Sequence, residues 1–232
     1  MTFGSLFAGI GGFDLALERA GMECRWQVEI DEYCKRVLEK HWPHVKRYGD
    51  IRTVTDVERV DVLCGGFPCQ DISIVGNRAG IDGERSGLWS EYVRLIRLVR
   101  PRYVVVENVA ALLRWGMGRV LGDLSESGYN AEWEIISAST VGAPHLRERV
   151  WIVAYSDQER LPKSKFESGK EWTDRACFGP RIAGSSWWAV EPNVGRVAHG
   201  IPRRVDRLKA LGNSIVPQVA ELIGRRILEC DQ

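Results

Sequence analysis

The group in this chain best placed for covalent chemistry is the thiol of Cys69, carried by Leu63-Cys64-Gly65-Gly66-Phe67-Pro68-Cys69-Gln70. The apolar run Val60 to Cys64 reads as a buried strand, two glycines break it, and Pro68 stiffens the turn that presents Cys69. A thiolate in such a turn is a strong nucleophile; the alternative is a small buried side chain filling a turn. Glu107 follows the unbroken run Tyr103-Val104-Val105-Val106, which has the composition of a central parallel strand covered on both faces. An ionisable acid there is costly unless something pairs with it. It either works at the carboxyl edge of the sheet, where open α/β folds bind ligands, or is tied to nearby backbone amides. Arg147 and Arg149 stand two residues apart, on one side of an incoming strand.

These groups need a scaffold, and the chain opens with one. Phe3 to Phe7 reads as a strand that runs into Ala8-Gly9-Ile10-Gly11-Gly12. Phe13, Ala16, Leu17 and Ala20 then mark one face of a helix that Gly21 closes. Strand, glycine loop and helix open a nucleotide-binding α/β unit, in which backbone amides face a ligand at a helix start. The loop is not GxGxxG, which disfavours a nicotinamide enzyme. A second strand, Cys24 to Glu29, ends on an acid placed to accept from a ribose diol; the alternative is a solvated strand-end carboxylate. Asp31 should cap a helix with Tyr33, Val37 and Leu38 inward. Asp50 is expected where a third strand ends, within reach of an adenine amino group, with Ile51 against the ring.

Downstream, Asp71 to Ser86 is a long Gly-, Ser- and Arg-containing segment, expected to move. Leu88, Tyr92, Leu95, Ile96 and Val99 predict an amphipathic helix stopped at Pro101. Met117, Val120, Leu121 and Leu124 predict another. Ala131 to Ser137 and Val150 to Tyr155 predict an antiparallel pair added to the sheet. A last helix should bury Val219, Leu222, Ile223 and Ile227.

Composition sets outer bounds. With 232 residues and 44% hydrophobic side chains, the chain can hold one full domain and a small appendage. A net charge of +1 neither requires nor excludes nucleic acid. The six cysteines form no CxxC pair, which argues for a reducing compartment and against a metal site. No apolar run approaches a membrane span, and no basic stretch precedes an apolar one at the amino terminus, so a cytoplasmic protein is expected. From Ser156 to about Ser186 periodicity is lost, and Lys and Arg are interleaved with Phe and Trp. Such a mixture suits phosphates and unstacked bases, or is a solvated loop whose aromatics pack on the main domain. Arg196 to Lys209 is more clearly basic and fits a phosphate-facing surface.

Five segments taken in order carry more information than any one: Phe7-Ala8-Gly9-Ile10-Gly11-Gly12, Gly66-Phe67-Pro68-Cys69-Gln70, Glu107-Asn108-Val109, Arg147-Glu148-Arg149 and Gly212-Asn213-Ser214-Ile215-Val216-Pro217-Gln218. Together they resemble the DNA cytosine-5 methyltransferase family, as a compact, phage- or prophage-like member. The resemblance implies a doubly wound, mostly parallel, Rossmann-like α/β sheet with a small target-recognition insert. Its parts are a cofactor-binding and catalytic domain at 1–156, a reduced recognition segment at 157–209 and a returning C-terminal helix at 210–232.

It also implies S-adenosyl-L-methionine over the glycine loop, with Glu29 and Ile30 at the ribose side, Asp50 and Ile51 at the adenine, and Pro68, Leu88, Asn213 and Ser214 closing the site. Cys69 would attack cytosine C6, Glu107 would hold N3 and the exocyclic amine, and Arg149, with Arg147 beside it, would bind O2. Double-stranded DNA is the expected partner, met by Gln70, Ser73, Arg78, Arg203, Arg204 and Arg207, with a cognate restriction endonuclease as a candidate second partner of a monomeric enzyme. His145 stands where the family usually has Gln, and the short insert predicts low or short-site specificity. A tRNA cytosine-5 methyltransferase and a non-catalytic DNA-binding relative are the competing readings.

Overall fold

The computed structural model describes residues 1–68, 87–156 and 204–231. Seven strands form one sheet: β1 (Thr2–Leu6), β2 (Glu23–Val28), β3 (Lys46–Tyr48), β4 (Val62–Gly65), β5 (Tyr103–Val109), β6 (Tyr129–Ser137) and β7 (Glu148–Ser156). Their spatial order is β3-β2-β1-β4-β5-β7-β6. The first five are parallel, while β7 runs antiparallel to both β5 and β6. The order turns around between β1 and β4, so the loops leaving these two strands, Phe7 to Gly11 and Gly66 to Pro68, part on either side of a crevice.

Helices α1 (Gly12–Ala20), α2 (Glu32–His41), α3 (Leu88–Val99), α4 (Leu112–Trp115), α5 (Met117–Glu126), α6 (Arg204–Asn213) and α7 (Pro217–Cys230) complete the described chain. The sheet is buried on both faces. Leu6, Val104, Val106 and Ile152 face a core completed by Tyr92, Ile96 and Leu124 of α3 and α5. Phe3, Val62, Val105 and Val153 face another, completed by Leu17 of α1 and Val219, Ile223 and Ile227 of α7. Alternation along β5 sends its valines to opposite sides, which is why that strand reads as a continuous apolar run.

Helix α1 is also pinned from within. Asp14, fully buried in its first turn, accepts hydrogen bonds from Ser5 Oγ at 3.2 Å, Cys24 Sγ at 3.4 Å and Gln27 Nε2 at 2.8 Å. Burial raises its pKa, and these donors oppose the rise.

Several local expectations shift. In α2 the buried residues are Cys34 and Leu38, whereas Tyr33 and Val37 are only half-buried. Asp31 does cap this helix, accepting from the amides of Tyr33 and Cys34. Strand β3 stops at Tyr48, so Asp50 lies beyond it and caps a 3-10 turn, Ile51–Thr53, by accepting from the amide of Arg52 at 3.0 Å. Helix α6 runs unbroken across the boundary expected between 209 and 210, because no glycine or proline interrupts the chain before Gly212. Among the described residues no helix is long and apolar enough to cross a membrane.

Candidate active site

The loop after β1 turns sharply, with Gly9 and Gly11 in the left-handed region at φ +57° and +88°. Glu29, one residue past β2, holds it. Its Oε2 accepts from the Gly9 amide at 2.6 Å and its Oε1 from the Asp31 amide at 2.7 Å. The carboxylate is therefore a buried brace between the glycine loop and the start of α2, not a solvated acid. Beside it Ile30 is 64% exposed, an apolar side chain left uncovered at the rim of a cleft. Ile51, by contrast, is buried and part of the core. Its turn is held by Arg94 of α3, which donates to the carbonyls of Ile51 at 2.8 Å and Val54 at 2.7 Å.

Across the switch point stands Glu107, the fifth residue of β5. Arg149 lies near it on the antiparallel β7, with Nε 3.0 Å from Glu107 Oε1. Burial pushes the Glu107 carboxyl up to about 7, against the downward pull of the Arg149 and Arg147 guanidinium groups. Such a group shares its population between acid and carboxylate near neutral pH, as proton transfer requires.

Gly66 makes room for it, since a Cβ there would lie 2.7 Å from Glu107 Oε2. Asn108 ties the same loop to β5, donating to the Phe67 carbonyl at 3.2 Å. Arg147 is set apart from Arg149: its Nη2 donates to the carbonyls of Gly212 at 2.8 Å and Ser214 at 2.6 Å.

A single cleft of about 550 Å³ is lined by both halves, including Gly9, Glu29, Pro68, Glu107, Arg149 and Asn213. Phe7, Ile30, Asp50, Ile51, Leu88 and Arg147 also border it. Ser214 and Ile215 press on α1 from the carboxyl-terminal side, 3.0 and 2.8 Å from the position of a Cβ on Gly12. Cys69, Gln70, Ser73, Arg78 and Arg203 lie outside the described residues, as does the segment expected to move at Asp71 to Ser86, and of Arg204 only the backbone is described. Arg207 is exposed on α6. Pro68, which precedes Cys69 in the chain, lines the cleft.

Two contributors escaped the sequence reading. Arg94 carries no local signal, because it acts on a segment distant in the chain. Lys209, read only as part of a basic stretch, lines the cleft and reaches Asp31 at 3.4 Å.

Comparison with known proteins identifies relatives of this chain. The profile of the C-5 cytosine-specific DNA methylase family matches residues 1–181. Type II methyltransferase M2.BsuMI of Bacillus subtilis strain 168 is 38% identical over 158 residues, covering 65% of this chain and 41% of that protein. M.HhaI of Haemophilus parahaemolyticus is 33% identical over 172 residues, covering 72% and 52%. The chain thus spans about half the length of the curated relatives it matches. Among solved structures, DNMT2 of Spodoptera frugiperda shares the fold, with a TM-score of 0.59 at 21% identity over 72% of this chain and 53% of that one. The order of the motifs, the reversal of the sheet beside the glycine loop and the match over most of its length place this chain in the C-5 cytosine-specific DNA methylase family.

Proposed function

We propose that the chain methylates C5 of a cytosine in duplex DNA with S-adenosyl-L-methionine as donor, by way of a covalent bond between Cys69 and C6. The observation that carries this reading is the pairing of buried Glu107 with half-buried Arg149, in one cleft with the glycine loop, Glu29 and Pro68. The cleft volume of about 550 Å³ is within the range of about 300–1,000 Å³ common for small-molecule sites.

The residues suit the donor. Each Glu29 oxygen accepts one backbone amide and keeps a lone pair for a ribose hydroxyl. Ile30 offers an uncovered apolar surface for a flat ring. Asp50, whose Oδ1 already accepts the Arg52 amide, retains acceptor capacity for an exocyclic amine. The donor, when bound, supplies an electrophilic methyl group on a sulfonium.

Cytosine C5 is too electron-poor to take that methyl unaided. Attack by the Cys69 thiolate on C6 pushes electrons into the ring and makes C5 nucleophilic. Glu107, protonated in a large fraction near neutral pH, donates to N3 as negative charge develops there. Arg149, held at Glu107, offers its guanidinium to O2. Loss of the C5 proton then expels Cys69 and restores the ring. A stacked base cannot reach these groups, so the cytosine must leave the helix. Arg203, Arg204 and Arg207, close together in the sequence, would meet the phosphates.

The test is covalent trapping. Duplex DNA carrying 5-fluorocytosine blocks the final elimination, so incubation with the donor should leave a stable protein–DNA adduct, absent in Cys69→Ala. No adduct with the unaltered chain, or methyl transfer from labelled donor to tRNA in preference to DNA, would overturn the reading.

A further inference from the structure

Resting on that reading, we propose that Arg147 is a positioning residue. It fastens the Gly212–Ser214 turn, and with it the donor side of the cleft, to the strand that carries Arg149. The two arginines sit two residues apart yet face different tasks. Arg149 Nε is on the Glu107 carboxylate at 3.0 Å. Arg147 Nη2 reaches 65 and 67 residues along the chain to two backbone carbonyls, at 2.8 and 2.6 Å.

The Gly212 carbonyl lies in the last turn of α6, where a helix leaves acceptors without intrahelical partners, and Ser214 is the first residue past its end. A cation is favoured there, and its bonds to neutral carbonyls are charge-assisted. The same turn is the part of the carboxyl-terminal segment that meets the glycine loop. Ser214 Oγ and Ile215 Cγ1 stand 3.0 and 2.8 Å from where a side chain on Gly12 would begin, and Gly212 and Asn213 line the cleft.

The other described polar link from α6 to the donor side, Lys209 to Asp31 at 3.4 Å, is largely exposed and contributes little. The two side chains do not join: Arg149 ends on Glu107, and Arg147 alone ties this stretch of chain to Ser214 beside the glycine loop. Arg147 belongs to the base side by sequence and to the donor side by its hydrogen bonds.

Calorimetric binding of S-adenosylhomocysteine, without DNA, separates the two roles. Arg147→Ala should bind it about tenfold more weakly than the unaltered chain, equivalent to about 1.4 kcal/mol. Arg147→Lys should recover part of the loss, because one ammonium reaches these carbonyls without the fork of a guanidinium. Arg149→Ala should bind it as the unaltered chain does.

Hydrogen exchange gives a second readout: amides of Ser214 to Val216 should lose protection in both Arg147 variants and keep it in Arg149→Ala. If Arg147→Ala does not fold, the same two measurements on Arg147→Lys decide. Unchanged affinity and protection in the Arg147 variants, or equal losses in Arg149→Ala, would overturn the assignment while leaving the enzyme reading intact. Failure of the unaltered chain to bind S-adenosylhomocysteine would overturn the donor reading, and this assignment with it.

Discussion

Replacing Glu107 by glutamine keeps the shape of the side chain and removes its titration, so the pH dependence of stability should change by a calculable amount. In the folded chain burial lifts this carboxyl from 4.5 to about 7. Between those values the folded state holds a proton that the unfolded state has released, so stability falls as pH rises. The contribution is complete below pH 4.5 and lost once pH passes about 7. At about 1.36 kcal/mol per pKa unit the whole shift is worth about 3 kcal/mol, most of which falls between about pH 5 and about pH 8.

Glu107→Gln also leaves Arg149 without its anion. Neither the amide nor the guanidinium titrates between about pH 5 and about pH 8, so in the variant this site adds nothing to the pH dependence, and the comparison isolates the ionisation of Glu107. Urea unfolding of the unaltered chain and of Glu107→Gln at about pH 5 and about pH 8 should give a difference of differences of about 2–3 kcal/mol, with the unaltered chain losing more on the alkaline side. Parallel pH dependences would refute the argument, showing that Glu107 ionises in the folded chain as it does in water.

Two other perturbations test the scaffold. Gly66→Ala puts a methyl group 2.7 Å from Glu107 Oε2 and 3.5 Å from the Glu107 carbonyl. It should cost about 1–3 kcal/mol in urea unfolding and sharply reduce adduct formation with 5-fluorocytosine DNA; normal trapping would mean that the carboxyl can move aside without loss. Ile223→Ala empties a site that is 1% exposed, in the core shared with Phe3 and Leu17. A loss of about 2–5 kcal/mol is expected, and one well below 1 kcal/mol would mean that α7 does not seal that face of the sheet.

What could be read from the chain alone is what neighbouring residues encode. The β1 strand, its glycine loop and α1 follow from apolar spacing over about twenty residues, and the valine run of β5 announced both a doubly buried strand and the anomaly of Glu107 at its end. The antiparallel β6–β7 pair and the inward face of α7 were legible for the same reason. Periodicity proved too coarse for α2, where the helix buries Cys34 and Leu38 rather than Tyr33 and Val37.

Tertiary structure alone decided the rest. It put β1 between β2 and β4, and so set the glycine loop beside the turn that ends at Pro68. It turned Glu29 into a brace, called on Gly66 to make room for Glu107, and gave Arg147 and Arg149 separate partners. Local spacing shows which face of an element a residue occupies; what that face meets depends on segments far away in the chain, and only the packed sheet and its helices bring them within hydrogen-bonding distance.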